Sequence, residues 1–186
     1  LIEIKAFKDG DSIIIEPSVI VPLQISRFSD VGTIKGEGSS WMMDGKTWHL
    51  EKRCGPKTKE WTLTIDRIIQ ENFEVDGPIW NQKYYISYRV NNYNWLYLGT
   101  RSKMLRLDFI VKKGSFKQEI LAKDLNVMEF TSDDSLSEKL NLPSSVKILN
   151  KNDNWDLVRI RVKDGFDIEG EGFTKFLETA YKACPK

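Results

Sequence analysis

The chain has 186 residues, 40% of them hydrophobic and 30% charged, with a formal net charge of +1. That length suits one domain, or a small domain joined to an N-terminal extension, with enough apolar residues to bury a core. A balance so near neutral excludes a general attraction of the whole molecule to nucleic acid or anionic membrane. No apolar run approaches the roughly 20 residues that span a bilayer, and neither a signal-peptide pattern nor an Asn-x-Ser/Thr acceptor occurs. A soluble, cytoplasmic protein without membrane contact is expected. Because Leu1 is not an initiator methionine, a trimmed or fragmentary chain is expected as well.

In chain order, Ile2 to Phe7 alternates at period two, Asp9-Gly10 is a hairpin-type turn, and Ser12 to Ile15 reads as the return strand, ended by Pro17. Gly32 to Ser40 is rich in glycine and serine. Trp41 to Met43, Asp44-Gly45 and Thr47 to Leu50 read as a second hairpin. Thr58 then suits a helix N-cap, with Glu60 in the first turn. Trp61, Ile65, Ile68, Ile69 and Phe73 repeat at helical spacing, and Gly77-Pro78 stops that helix. Three strands follow. Tyr84, Ile86, Tyr88 and Val90 share a face, as do Leu96 and Leu98 after the Asn91-Asn92 turn, and Leu105 to Val111 ends at Lys113-Gly114. Glu119 to Leu125 is a short helix, and residues 131–156 read as acidic and irregular, with a turn at Leu142-Pro143. Val158, Ile160 and Val162 mark a last strand. Phe173, Phe176, Leu177, Ala180, Tyr181 and Cys184 give the most regular helical stripe.

Connections of a few residues between the middle strands predict a meander, because parallel crossovers need a dozen or more. The expected class is therefore α+β: an antiparallel sheet meander flanked by helices (57–186), preceded by a β-rich N-terminal segment (1–56). The closing helix must bury its stripe, and the apolar side of the sheet is the available surface.

Motifs for chemistry fail on spacing. Gly45-Lys46-Thr47 ends like a phosphate-binding loop, but the glycine required five positions earlier is Ser40, and Trp41-Met42-Met43 would crowd the amides that approach phosphate. His49 is the only histidine, and its place between Trp48 and Leu50 suits a partly buried structural imidazole. One histidine with two distant cysteines, Cys54 and Cys184, makes neither the usual zinc set nor a disulfide framework. No cofactor, metal or catalytic group is expected from these residues. One alternative remains: Glu3-x-Lys5 has the form of half a metal-dependent nuclease site, in which the carboxylate holds Mg²⁺ and the lysine positions water. That site needs a further acid on an earlier strand, and Asp9 and Asp11 follow instead of preceding.

Charge is distributed unevenly. Residues 77–125 carry nine Lys/Arg against three Asp/Glu, and 126–156 carry three against six. Opposite the apolar phase of the strands lie Tyr85, Ser87 and Arg89, then Trp95 and Tyr97, then Arg106. Arg159, Arg161 and Lys163 occupy the same phase of the last strand. With those strands as neighbours, cations and aromatics share one sheet face that can hold phosphates and stack bases. The expected contact residues are Lys83, Tyr85, Arg89, Trp95, Arg101, Lys103, Arg106, Arg159 and Arg161. A competing expectation is that the acidic segment folds over this face. A further alternative is a protein-interaction scaffold built on an exposed patch of the six tryptophans.

From Trp80-Asn81-Gln82-Lys83-Tyr84-Tyr85-Ile86-Ser87-Tyr88-Arg89 onward, the chain resembles a bacterial family of unknown function labelled "predicted transport protein" domains. The shared pattern is a Tyr-Ile-x-Tyr-Lys/Arg strand, two further strands with basic residues, an irregular segment, then a strand and a helix ending Ala-Tyr. It spans residues 77–184. Members often accompany nuclease-like segments in bacterial defence proteins. The resemblance thus implies a non-catalytic, nucleic-acid-associated or defence-associated binding module, with nucleic acid or a nuclease as partner. It supplies no catalytic residues to carry over.

Overall fold

A computed structural model describes residues 2–9, 12–19, 40–130 and 142–185, the first two stretches as backbone only. The contacts divide the chain into two units, Leu1–Gly36 and Glu37–Lys186.

In the first unit, strands β1 (Ile2–Asp9) and β2 (Ser12–Val19) form an antiparallel pair, with Ile2 opposite Val19 and Asp9 opposite Ser12. The pairing agrees with the expected hairpin, while Gly10 and Asp11 between the strands lie outside the described residues. Pro17 does not end β2 but lies within it, opposite Ile4. A two-stranded ribbon has only edge strands, where proline is tolerated.

The second unit is α+β. Two helical turns, α1 (Ser40–Met43) and α2 (Gly45–Thr47), lead into a π-helical turn, Trp48–Arg53. The long helix α3 (Pro56–Asn72) follows. Strands β3 (Asp76–Ile79), β4 (Tyr85–Val90), β5 (Tyr93–Thr100) and β6 (Leu105–Lys112) form the meander. After helix α4 (Gln118–Asp124) come β7 (Met128–Glu129), β8 (Ser145–Asn150) and β9 (Trp155–Val162), and helix α5 (Glu171–Lys182) closes the unit. The sheet order is β3-β4-β5-β6-β9-β8-β7, antiparallel except for the β7–β8 pair.

Residues 40–53 correct the sequence reading: they are helical turns, not a hairpin. Asp44 does not open a β-turn. Its Oδ1 accepts from the Thr47 amide at 3.1 Å, capping α2. At α3 the cap is Gly55, with Pro56 at the first helical position. Thr58, expected as the cap, sits one turn in and reaches back, its hydroxyl accepting from the Gly55 amide at 2.8 Å. Residues 145–150, expected to be irregular, are strand β8, and residues 131–141 of that stretch lie outside the described residues.

The expected stripes meet on one side of the sheet. Ile65 and Ile69 of α3, with Phe173, Phe176, Leu177 and Ala180 of α5, pack on Ile86, Leu98, Leu107 and Ile160, which stand in register across four strands. At the β4–β5 turn, Asn91 and Asn92 take φ of 50° and 67°, the pair of positive values that a type I′ hairpin turn requires.

One break in register removes an expected contact residue from the sheet surface. Tyr88 pairs with Leu96 but Arg89 pairs with Asn94, so Trp95 is an extra residue on β5. This β-bulge turns the Trp95 ring into the core, fully buried between Phe73, Phe109 and Tyr181. Simple alternation had placed it on the opposite face.

Candidate nucleic-acid interface

The other face of the sheet is laid out by the same register. One row reads Tyr85, Gly99, Arg106, Arg161 and Ser145; the next reads Ser87, Tyr97, Asp108, Arg159 and Lys147. The arginines of β6 and β9 are therefore neighbours, as the sequence pattern required. Asp108 changes what they do. It is buried, and Arg159 grips it with two bonds, Nε to Oδ1 at 2.7 Å and Nη2 to Oδ2 at 3.0 Å. Arg106 Nε stands 3.1 Å from Oδ2, a charge contact without hydrogen-bond alignment. Arg161 is 3% exposed, and its guanidinium lies 4.7 Å from the centre of the buried Phe130 ring, with Lys147 Nζ 5.9 Å from the same ring. The centre of the expected basic surface is therefore an internal ion-pair and cation–π arrangement.

The basic character reaches the surface at one end of the sheet. There a groove of about 790 Å³ is lined by Trp48, Lys52, Arg53, Tyr84, Tyr85, Gly99, Arg101, Ser102 and Arg106. Four of these side chains are cationic, three are aromatic and none is acidic. The π-helical turn builds one wall. Its defining bond, Cys54 amide to His49 carbonyl at 3.0 Å, widens the helix there. Trp48 Nε1 then donates to the Lys83 carbonyl at 3.0 Å, holding the loop that carries Tyr84.

Behind the wall lies a buried polar chain. His49 Nε2 is 2.7 Å from the Gln82 carbonyl, so that nitrogen carries the proton, and Nδ1 is left to accept from the Thr100 hydroxyl at 2.6 Å. The same hydroxyl accepts from Arg53 Nε at 3.1 Å, while Arg53 Nη2 donates to the Thr100 carbonyl at 2.8 Å. Burial pushes the His49 imidazole below its ordinary range, and the Arg53 charge adds to that, against a bond to Gln82 that works the other way. Burial and then the Arg101 charge likewise depress Arg53, which stays cationic all the same. Its guanidinium lies 5.2 Å from the centre of the Tyr84 ring. His49 was expected to be partly buried in a strand; it is wholly buried, and in a helical turn.

Of the nine expected contact residues, Tyr85, Arg101 and Arg106 line the groove. Lys83 stands beside it, its amino group 5.3 Å from the centre of the Tyr84 ring, and Lys103 is exposed in the same β5–β6 connection. Arg89 is exposed but turns away to Asn94 Oδ1 at 3.1 Å, in a different hollow with Glu74 and Asp76. Arg159 and Arg161 are held as described, and Trp95 is in the core. Trp48, Lys52, Arg53 and Tyr84 were missed. Helical spacing from Trp48 to Lys52 was the available signal, hidden by reading 47–50 as a strand.

The other expected features place as follows. Glu3 and Lys5 lie on β1 opposite Ser18 and Glu16, and their side chains are outside the described residues. Among the described residues no three His, Cys, Asp or Glu side chains group to hold a metal ion, and no helix is long and apolar enough to cross a membrane. Gly45 is not a phosphate-loop residue but a close-packing one: a Cβ there would fall 2.3 Å from the Trp80 carbonyl oxygen. Neither Cys54 nor Cys184 is in a disulfide, and Cys184 is buried. None of the six tryptophans is among the exposed large apolar side chains, which include Met42, Met43 and Tyr84. No family model matches the chain, and neither the curated proteins nor the solved structures contain a match to it.

Proposed function

We propose that this chain is a nucleic-acid-binding module whose contact surface is the basic, aromatic groove between the π-helical turn and the ends of β4, β5 and β6. The observation that carries this reading is the lining itself: Lys52, Arg53, Arg101 and Arg106 beside Trp48, Tyr84 and Tyr85, with no carboxylate among them. Cations supply sequence-independent attraction to phosphate, and aromatic rings offer faces for bases. The resemblance to domains that accompany nuclease-like segments supports the same class of partner. The test is titration of the chain with short single-stranded DNA and RNA across a salt series. Affinity is expected to fall steeply between about 50 and 200 mM salt. The double variant Arg101→Gln with Arg106→Gln is expected to weaken binding at low salt and flatten that dependence. Binding that ignores salt, or that survives the double variant intact, overturns the reading.

A further inference from the structure

The polar chain behind the groove wall runs in one direction. His49 Nε2 donates to the Gln82 carbonyl at 2.7 Å, Nδ1 accepts from the Thr100 hydroxyl at 2.6 Å, and the oxygen of that hydroxyl accepts from Arg53 Nε at 3.1 Å. The order holds only while the imidazole is neutral. An imidazolium donates from both nitrogens, so the Thr100 oxygen would face two charged donors at once. Its own hydrogen, turned away from Nδ1, would then have no acceptor among the described contacts, at a residue that is fully buried.

The surroundings do not neutralise the second charge. On the same turn Arg53 repels it, Glu51 is paired with Lys59, and burial pushes the Cys54 thiol up, so that it stays neutral. From α2, Asp44 is exposed and bonded to the Thr47 amide, and Lys46 is exposed. From the start of α3, Lys57 is paired with Asp164, and the buried polar side chains are Thr58 and Thr62. The segment before β4 offers the Trp80 and Gln82 carbonyls and the Trp80 ring, 6.1 Å away between centres, and β5 offers Thr100. Of the two cations, Arg53 is the one free to yield: His49 is wholly buried, whereas Arg53 is half-buried at the groove on a long side chain.

We infer that protonation of His49 releases Arg53 from Thr100, which makes the buried imidazole an acid-operated latch on the groove wall. With His49 neutral, two bonds to Thr100 hold the guanidinium. When Nδ1 takes up a proton from solvent, it donates to the Thr100 oxygen, the hydroxyl hydrogen turns to the side that Arg53 occupied, and the guanidinium swings toward the groove. Burial opposes the proton, so the latch opens below the ordinary histidine range.

NMR of the nitrogen-labelled full chain, titrated from about pH 7.5 to 4.5, reads both ends of the latch, because His49 is the only histidine. The His49 ring signals are expected to shift with a midpoint below about 6.5, and the Arg53 Nε–H signal should reach the free-arginine position with the same midpoint. Arg159 Nε–H, bonded to Asp108 at 2.7 Å, is the control and should hold its place. In Thr100→Val the Arg53 signal should sit at the free position already at neutral pH. In Arg53→Gln the His49 midpoint should rise by about half a unit, a threefold gain in proton affinity. An Arg53 signal that stays in place while His49 titrates, or moves at a different pH, overturns the inference. So does unfolding, seen as loss of the Arg159 signal, before His49 titrates. No nucleic acid enters the experiment, so the latch and the nucleic-acid reading stand or fall separately.

Discussion

His49 offers a clean pH experiment because it is the only histidine in the chain. Buried between Thr100 and the Gln82 carbonyl, its imidazole is held neutral in the folded state, and burial is the main cause. In the unfolded chain it titrates near 6.5. The folded pKa is therefore the lower of the two, so the unfolded state takes up a proton first as pH falls. Stability is fully present above about pH 6.5 and declines below it, until the folded imidazole also protonates. The unfolded imidazole sets the upper limit: the loss between pH 7.5 and 5.5 cannot exceed about 1.4 kcal/mol from this one group. Carboxylates titrate near pH 4 and contribute little slope in that window. Urea denaturation at pH 7.5, 6.5 and 5.5 reads the effect directly, for the native chain and for His49→Gln. The variant is expected to be less stable throughout, because Thr100 and Gln82 lose a partner, but its midpoint should be nearly flat across the window. A flat native profile, or a variant that keeps the native slope, refutes the reasoning.

Two further outcomes test the packing of the site. Asp108→Ala should destabilise the fold by about 3–5 kcal/mol, since it removes the buried carboxylate that Arg159 grips with two bonds; a loss under about 1 kcal/mol in urea denaturation would refute that role. Gly45→Ala should cost about 1–3 kcal/mol, because the added methyl must displace backbone at Trp80, and a shift in thermal midpoint measures it. The same variant should weaken oligonucleotide binding only through stability, as Gly45 does not line the groove.

The elements that the sequence reveals best are those whose apolar residues repeat cleanly. Phe173 to Ala180 and Ile65 to Phe73 declare their helices because a single stripe must face the core, and the middle strands declare themselves by alternation. Two short-range details escaped. In the π-helical turn the helical spacing from Trp48 to Lys52 spans too few residues to outweigh alternation, so Thr47 to Leu50 looked like part of a strand. The bulge at Trp95 adds one residue to β5, and alternation counted across it inverts the face. The first error fell on the wall of the groove and the second removed an expected contact residue to the core, both where the chain departs from regular geometry. The pairing of Arg106 with Arg161 was legible from phase. The part played by Asp108 was not, because a lone carboxylate between arginines reads from sequence as one charge among many, while in the fold it lies between two guanidinium groups.

The outermost strands of the seven-stranded sheet also limit how a partner can attach. At one end, β3 spans four residues, includes Pro78, which has no N–H to offer, and shifts register against β4 between Asp76 and Ile79. At the other, β7 is only Met128–Glu129. Neither rim presents the long regular row of amides and carbonyls that an added strand needs. Among the described residues the β3 rim is thus a poor template for a visiting strand, and a partner there must be read by side chains.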